Sequence, residues 1–155
     1  MDKIDNYRLN IEENAISNVE AYIENLFHQW TVNEIYLGNI ITAFSNLIYL
    51  LPKHPDNKSL GITAQIKDEI ISFEFTGIAR QVLTLFLKEH ILQNIHNAHI
   101  QSVFLIQKIA DEAIVQKNNL ILRFKISALP DSYLIKRRQL LKNASKNTTE
   151  NIIYD

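Results

Sequence analysis

The sequence predicts an α+β domain: a two-layer α/β sandwich whose mixed, mostly antiparallel sheet carries helices on one face. Three observations carry that expectation. The strand-like segments alternate apolar and polar residues, so each has one face for a core and one for water. The helix-like segments carry broad apolar stripes. The two kinds follow one another in the order β-α-α-β-β-α-α-β-β, which puts the helices over one side of a sheet and leaves the other side wet.

Tyr7, Leu9 and Ile11 alternate with Arg8, Asn10 and Glu12, which predicts the first strand. Ser17 and Glu20 have the spacing of a capping box, in which each side chain satisfies a free backbone N–H. The helix expected behind them carries Val19, Ile23, Leu26, Phe27 and Trp30 on one stripe. Thr31 with Glu34 repeats the capping pattern. It precedes a second helix that is apolar at Leu37, Ile40, Ile41, Phe44, Leu47, Ile48 and Leu51. Pro52 ends that helix, because proline disfavours helical backbone at the residue before it and lacks an N–H. Residues 53–58 are polar with a further proline and read as a loop.

Leu60, Ile62, Ala64 and Ile66, then Ile71, Phe73 and Phe75, alternate with polar residues on either side of a turn near Asp68, which is a hairpin pattern. Residues 78–93 are apolar at Val82, Leu83, Leu85, Phe86, Ile91 and Leu92, which predicts helix over part of their length. A further helix is expected over 100–110. Residues 113–115, a turn at Lys117-Asn118-Asn119 and residues 120–126 make a closing hairpin. Leu120, Leu122, Phe124 and Ile126 point inward and Arg123 and Lys125 outward. The organisation expected is therefore a domain over 1–130, a basic helix over 131–142 and a disordered tail over 143–155.

Composition narrows the function. The chain has 155 residues and no cysteine, so a disulfide framework, a zinc ribbon and a thiol nucleophile are excluded. A net charge of −1 disfavours a nucleic-acid binder. Three glycines, Gly38, Gly61 and Gly77, are too few for a glycine-rich phosphate cradle. The start MDKIDNYR lacks an apolar signal core, and no run approaches the ~18 apolar residues of a membrane helix. A cytoplasmic protein is expected, with no nucleic acid bound and no membrane insertion.

The strings SNVEAYIENL, YLGNIITAFSNLIYLLPKH, IKDEIISFEFTG and SVFLIQKIADEAIVQKNNLILRFKI occur in that order over about residues 7–126. In order and pattern they resemble the GHKL-type, histidine-kinase-like ATPase domains of bacterial anti-sigma-factor serine kinases. The resemblance implies a histidine-kinase-like fold and a nucleotide site between the second and last helices. It also implies partners such as a sigma factor, a phosphorylatable antagonist protein or an active relative, with homodimers among the options.

The site motifs of that family are altered here. Its E-x-x-x-N on the second helix, which supplies an activating carboxylate and a Mg²⁺ ligand, falls on Asn46 and Leu50. A neutral amide is no general base near pH 7 and leucine offers a metal nothing. Its D-x-G-x-G, whose acid receives the adenine amine, falls on Phe75, Gly77 and Ala79. Its G-x-G at the last helix falls on Ile100 and Ser102. Branched Ile100 stands where bare backbone must approach phosphate. The expectation is a scaffold without ATP, Mg²⁺ or catalysis, in other words a regulatory interaction module. The glycine-free stretch 78–93 is expected to fold as helix into or across the vacated cleft. The alternative is an atypical serine/threonine kinase that binds ATP with Mg²⁺ and orients it through Asn46 and Gln101.

Other reactive-looking residues read more simply. His90, His96 and His99 do not share one helical face and read as surface or loop histidines rather than metal ligands. Asp68 and Glu69 read as turn residues, and Asp111 and Glu112 as an element boundary. Ser45 and Ser102 lack an identifiable base. Asn143 and Asn147 begin chance glycosylation tripeptides. Lys136, Arg137, Arg138 and Lys142, with Lys146, either complement the dipole of their own helix or form a docking surface for an acidic partner, an anionic membrane or RNA, and the helix is also open to packing on the domain or on a second copy. Leu134, Leu140 and Leu141 give that helix an apolar side.

Overall fold

The computed structural model describes residues 2–51, 59–90 and 97–126. Pro52, the 53–58 loop, Ile91, Leu92, His96, the 131–142 helix with Lys136, Arg137, Arg138 and Lys142, and the 143–155 tail lie outside the described residues.

The elements run β1 (Lys3–Asn10), α1 (Ala15–Trp30), a 3₁₀ turn (Glu34–Tyr36), α2 (Leu37–Leu50), β2 (Ser59–Lys67), β3 (Ile70–Thr76), α3 (Arg80–Leu85), α4 (Ala98–Ile109), β4 (Glu112–Gln116) and β5 (Asn119–Lys125). The strands form one sheet in the order β1-β2-β3-β5-β4, and every neighbouring pair is antiparallel. The expected two-layer α+β arrangement is present, with a wholly antiparallel sheet in place of a mixed one.

Cross-strand register explains the covered face. Leu9 opposes Leu60, Ile62 opposes Phe75, Ala64 opposes Phe73, and Phe73 opposes Leu122. These side chains are buried together with Val19, Ile23, Leu26 and Phe27 of α1 and Ile40, Phe44, Leu47 and Ile48 of α2. Phe44 sits edge-on to both Phe73 and Phe75, with ring centroids 4.8 and 5.1 Å away. Such T-shaped pairs put a positive ring edge against a negative ring face.

On the other face most positions are polar. Thr63 donates to Asn6 (2.9 Å), Arg8 to Ser59 (2.6 Å), Asn119 to Glu74 (3.2 Å) and Arg123 to Glu112 (2.8 Å). Ile121 departs from that pattern. It lies on this face opposite Ile114 and Glu74, yet it is buried, whereas Ile4 on the same face is 63% exposed.

Both hairpin turns take left-handed backbone at two successive residues, Asp68 with Glu69 and Lys117 with Asn118. Their twist matches that of the flanking strands, which is why two-residue hairpins use it.

Three terminal signals differ from the sequence expectation. First, β1 begins at Lys3 rather than Tyr7 and stops before Ile11. Second, α1 starts at Ala15, so Ser17 and Glu20 lie inside the helix and make no capping box. A backbone turn begins it instead, with the Ala15 N–H donating to Glu12 O at 3.0 Å. Third, Thr31 does not open the second helix; it closes α1 in a left-handed conformation at φ 54°. Thr31 N–H bonds His28 O and Val32 N–H bonds Phe27 O, the paired pattern of a Schellman ending. Asn33, not Thr31, caps the 3₁₀ turn by accepting from Ile35 N at 3.0 Å. The α2 end is as expected, with Leu51 in the extended backbone that a residue before proline prefers.

Candidate functional site

The residues expected at the nucleotide positions lie on the last turns of α2, at the end of β3 and its exit, and in the first turns of α4. Helices α2 and α4 pack directly on each other, and Tyr49 and His99 meet across them at 5.8 Å. Leu50 is buried in the core on α2, and Phe75 has no exposed surface at all. β3 forces this on Phe75: the period of two that buries Ile71 and Phe73 aims residue 75 into the same aromatic cluster.

Asn46 is half-buried and donates from Nδ2 to its own helix at Thr42 O, 2.9 Å. That bond turns the amide back along α2. Gly77 has φ +94°, a conformation that side chains resist, and its added Cβ would sit 3.4 Å from Ser59 O. The first family glycine position is therefore used as a β3–α3 corner. Ala79 begins α3 in extended backbone. Ile100 is half-buried in the first turn of α4, and Ser102 is buried two residues further from the tip. Gln101, the other residue of the alternative reading, faces solvent. The α4 N-terminus is closed by Asn97, whose side chain accepts from the N–H groups of His99 (2.8 Å) and Ile100 (3.4 Å). A capping amide thus takes the donors that an anion would use at a helix start.

Among the described residues 78–90 that follow Gly77, the helix is α3. Ile78, Val82, Leu83 and Phe86 join the core, and residues 86–89 run beside α4 and the β4 edge. Gln107 of α4 holds that run by donating to Lys88 O (2.9 Å) and accepting from His90 N (3.3 Å). His90 is buried, which corrects the expectation of a surface residue; its Nε2 lies 2.7 Å from Leu85 O. No group of three or more His, Cys, Asp or Glu side chains among the described residues is placed to hold a metal. Ser45 is half-buried on α2. Asp111 and Glu112 serve the β4–β5 boundary: Asp111 accepts from Lys125 N at 2.7 Å and Glu112 pairs with Arg123.

Two surface features had no counterpart in the sequence reading. Between β1 and α1 lies a groove of about 490 Å³. In it Tyr7 and Tyr22 stack at 4.1 Å and 9°, and Tyr22 Oη donates to Asp5 Oδ2 at 2.8 Å. Burial first, and then that hydrogen bond and the charge of Asp5, hold the Tyr22 phenol far above its ordinary range. The spacing of Asp5 and Tyr7 on one strand face was readable, but the helix residue that meets them was not. The second feature is a groove of about 930 Å³ at the α1 C-terminus, with Glu24 and Glu34 on its rim and Phe27, Val32 and Leu37 beneath. The signal available for it was the lack of Lys and Arg between Arg8 and Lys53.

No family model matches the chain, and no curated protein is significantly similar to it.

Proposed function

We propose that this chain is a non-catalytic regulatory module that works by binding protein, on a histidine-kinase-like scaffold resembling the anti-sigma-factor serine kinases. One observation carries the reading: Phe75 and Leu50 lie in the hydrophobic core at two positions where an ATP site of that kind needs a carboxylate and a metal ligand. Asn46 bonded to its own backbone and the capped start of α4 support it. An adenine amine facing Phe75 would find no acceptor and lose its water partners, which costs about 1–3 kcal/mol. Triphosphate charge beside Leu50 would lack a counter-ion.

The reading gives the chain no cofactor and no enzymatic step. It places the chain in the cytoplasm, with a sigma factor, an antagonist protein, an active relative or a second copy as the class of partner. No helix among the described residues is long and apolar enough to cross a membrane.

Thermal unfolding with increasing Mg-ATP tests it. A ligand at 100 times its Kd stabilises by about 2.7 kcal/mol, which for a domain of this size raises Tm by roughly 5–11 °C. The expected rise is none up to millimolar nucleotide. A saturating rise together with phosphotransfer to an antagonist serine would establish the kinase alternative instead.

A further inference from the structure

We infer that the acidic groove at the α1 C-terminus is the docking place of this chain's own basic segment, residues 133–146, in the same molecule. The inference does not depend on whether nucleotide binds. Three observations point to that occupant.

The first is charge. Between Arg8 and Lys53 there is no Lys or Arg, while Glu12, Glu13, Glu20, Glu24 and Glu34 all fall there. Glu24 and Glu34 are exposed on the groove rim, and the carboxylate of neither makes a hydrogen bond or ion pair among the described residues. Lys136, Arg137, Arg138, Lys142 and Lys146 stand against only Asp131, Glu150 and Asp155 beyond residue 126. The chain is thus an acidic body with a cationic end, and opposite potentials favour their contact.

The second is shape and polarity. The groove has an apolar floor of buried Phe27 and Val32 and half-buried Leu37. Leu134 before the cations, and Leu140 and Leu141 between them, supply matching apolar side chains. An amphipathic segment laid on such a floor removes apolar surface from water while its charges stay at the rim.

The third is where the chain leaves the sheet. β5 runs toward the Asp68–Glu69 turn, and Ile126 N–H donates to Glu69 O at 2.9 Å. β1 runs away from that same end and α1 returns toward it, so the α1 C-terminus and the exit from β5 share one end of the molecule. Three strand spacings separate β5 from β1, about 14 Å, and the helix layer lies about 10 Å above the sheet. At ~3.3 Å per extended residue, the eight residues from Ser127 to Leu134 reach up to about 26 Å, which is enough to bring Leu134 to the groove.

The test uses the full chain, whose lack of cysteine allows one label. Ser145→Cys carries a dansyl-type acceptor, and Trp30, the single tryptophan, is the donor one residue before Thr31 of the groove. Strong transfer is expected at low salt, falling by at least roughly half at about 0.5 M salt, where charges separated by more than ~4 Å are screened. Glu24→Lys with Glu34→Lys should cause the same loss, as should Lys136→Glu with Arg137→Glu and Arg138→Glu, which alters none of the described residues. Transfer that is weak at the outset, or unchanged in the cation-reversed chain, overturns the inference. The labelled chain carrying Trp30→Phe, mixed with unlabelled chain, should show no sensitised emission. Emission there would mean that a second copy's segment fills the groove, which contradicts docking in the same molecule.

Discussion

Replacing Phe75 by aspartate puts a carboxylate where the resembled ATPases keep their adenine-reading acid, and it separates two views of this position. If residue 75 edged an open pocket, the acid would be solvated and harmless. The structure gives it no solvent. Phe75 is 0% exposed, lies opposite Ile62 and Leu120 on the neighbouring strands, and is 5.1 Å from Phe44 at 64°. Truncating a buried phenylalanine costs about 3–5 kcal/mol, and the ring–ring contact adds about 0.5–1.5. A buried, unpaired carboxyl adds more even after it protonates. The sum exceeds about 5 kcal/mol, the lower end of total stability for a domain. Phe75→Asp should therefore be unfolded, or melt at least about 10 °C below wild type. Phe75→Leu, which keeps much of the volume, should cost about 1–2 kcal/mol. Urea unfolding followed by Trp30 fluorescence and circular dichroism reads both variants. A Phe75→Asp chain within about 1 kcal/mol of wild type would refute the reasoning.

Other substitutions follow from individual contacts. Tyr22→Phe removes the part-buried bond to Asp5 and should cost about 1 kcal/mol at pH 7. Because the folded state raises the Tyr22 pKa, the stability it contributes is full below the unfolded value of about 10 and is lost as pH climbs above it. Wild type should thus lose stability faster than Tyr22→Phe above about pH 10, as read by denaturant midpoints across that range. Gly77→Ala puts a side chain at φ +94° and should cost about 1–2 kcal/mol with an unchanged denaturant slope. Gln107→Ala removes both bonds to the 88–90 run and should speed amide exchange at His90 about five-fold, with the global melt nearly unaltered.

Strands and helix faces were legible because burial follows simple periods. The period of two at Leu60–Ile62–Ala64 and Ile71–Phe73–Phe75, and the stripe Val19–Ile23–Leu26–Phe27, are the residues that form the core. Ends were less legible, since several local solutions compete for the same backbone groups. Ser17, Glu20 and Thr31 carry capping chemistry in the sequence, yet a backbone turn at Glu12–Ala15 and a Schellman ending at Thr31 take those roles. His90 looked like a surface residue because its partner, Leu85 O, is a main-chain atom that no side-chain pattern announces. At the candidate site, the neutral side chains Asn46, Leu50 and Phe75 were readable residue by residue. The direct packing of α2 on α4 and the hold of Gln107 on residues 88–90 were not readable, because they are contacts between segments far apart in sequence. The Tyr7–Tyr22–Asp5 group was missed for the same reason.

The most direct measurement is an amide NMR titration of the full chain with Mg-ATP, watched at Asn46, Leu50, Phe75, Gly77, Ala79, Ile100 and Ser102. A core-filled α2–α4 junction predicts that these signals stay in place up to millimolar nucleotide. Saturable shifts clustered on those residues would show a pocket that accepts ATP and would contradict the account.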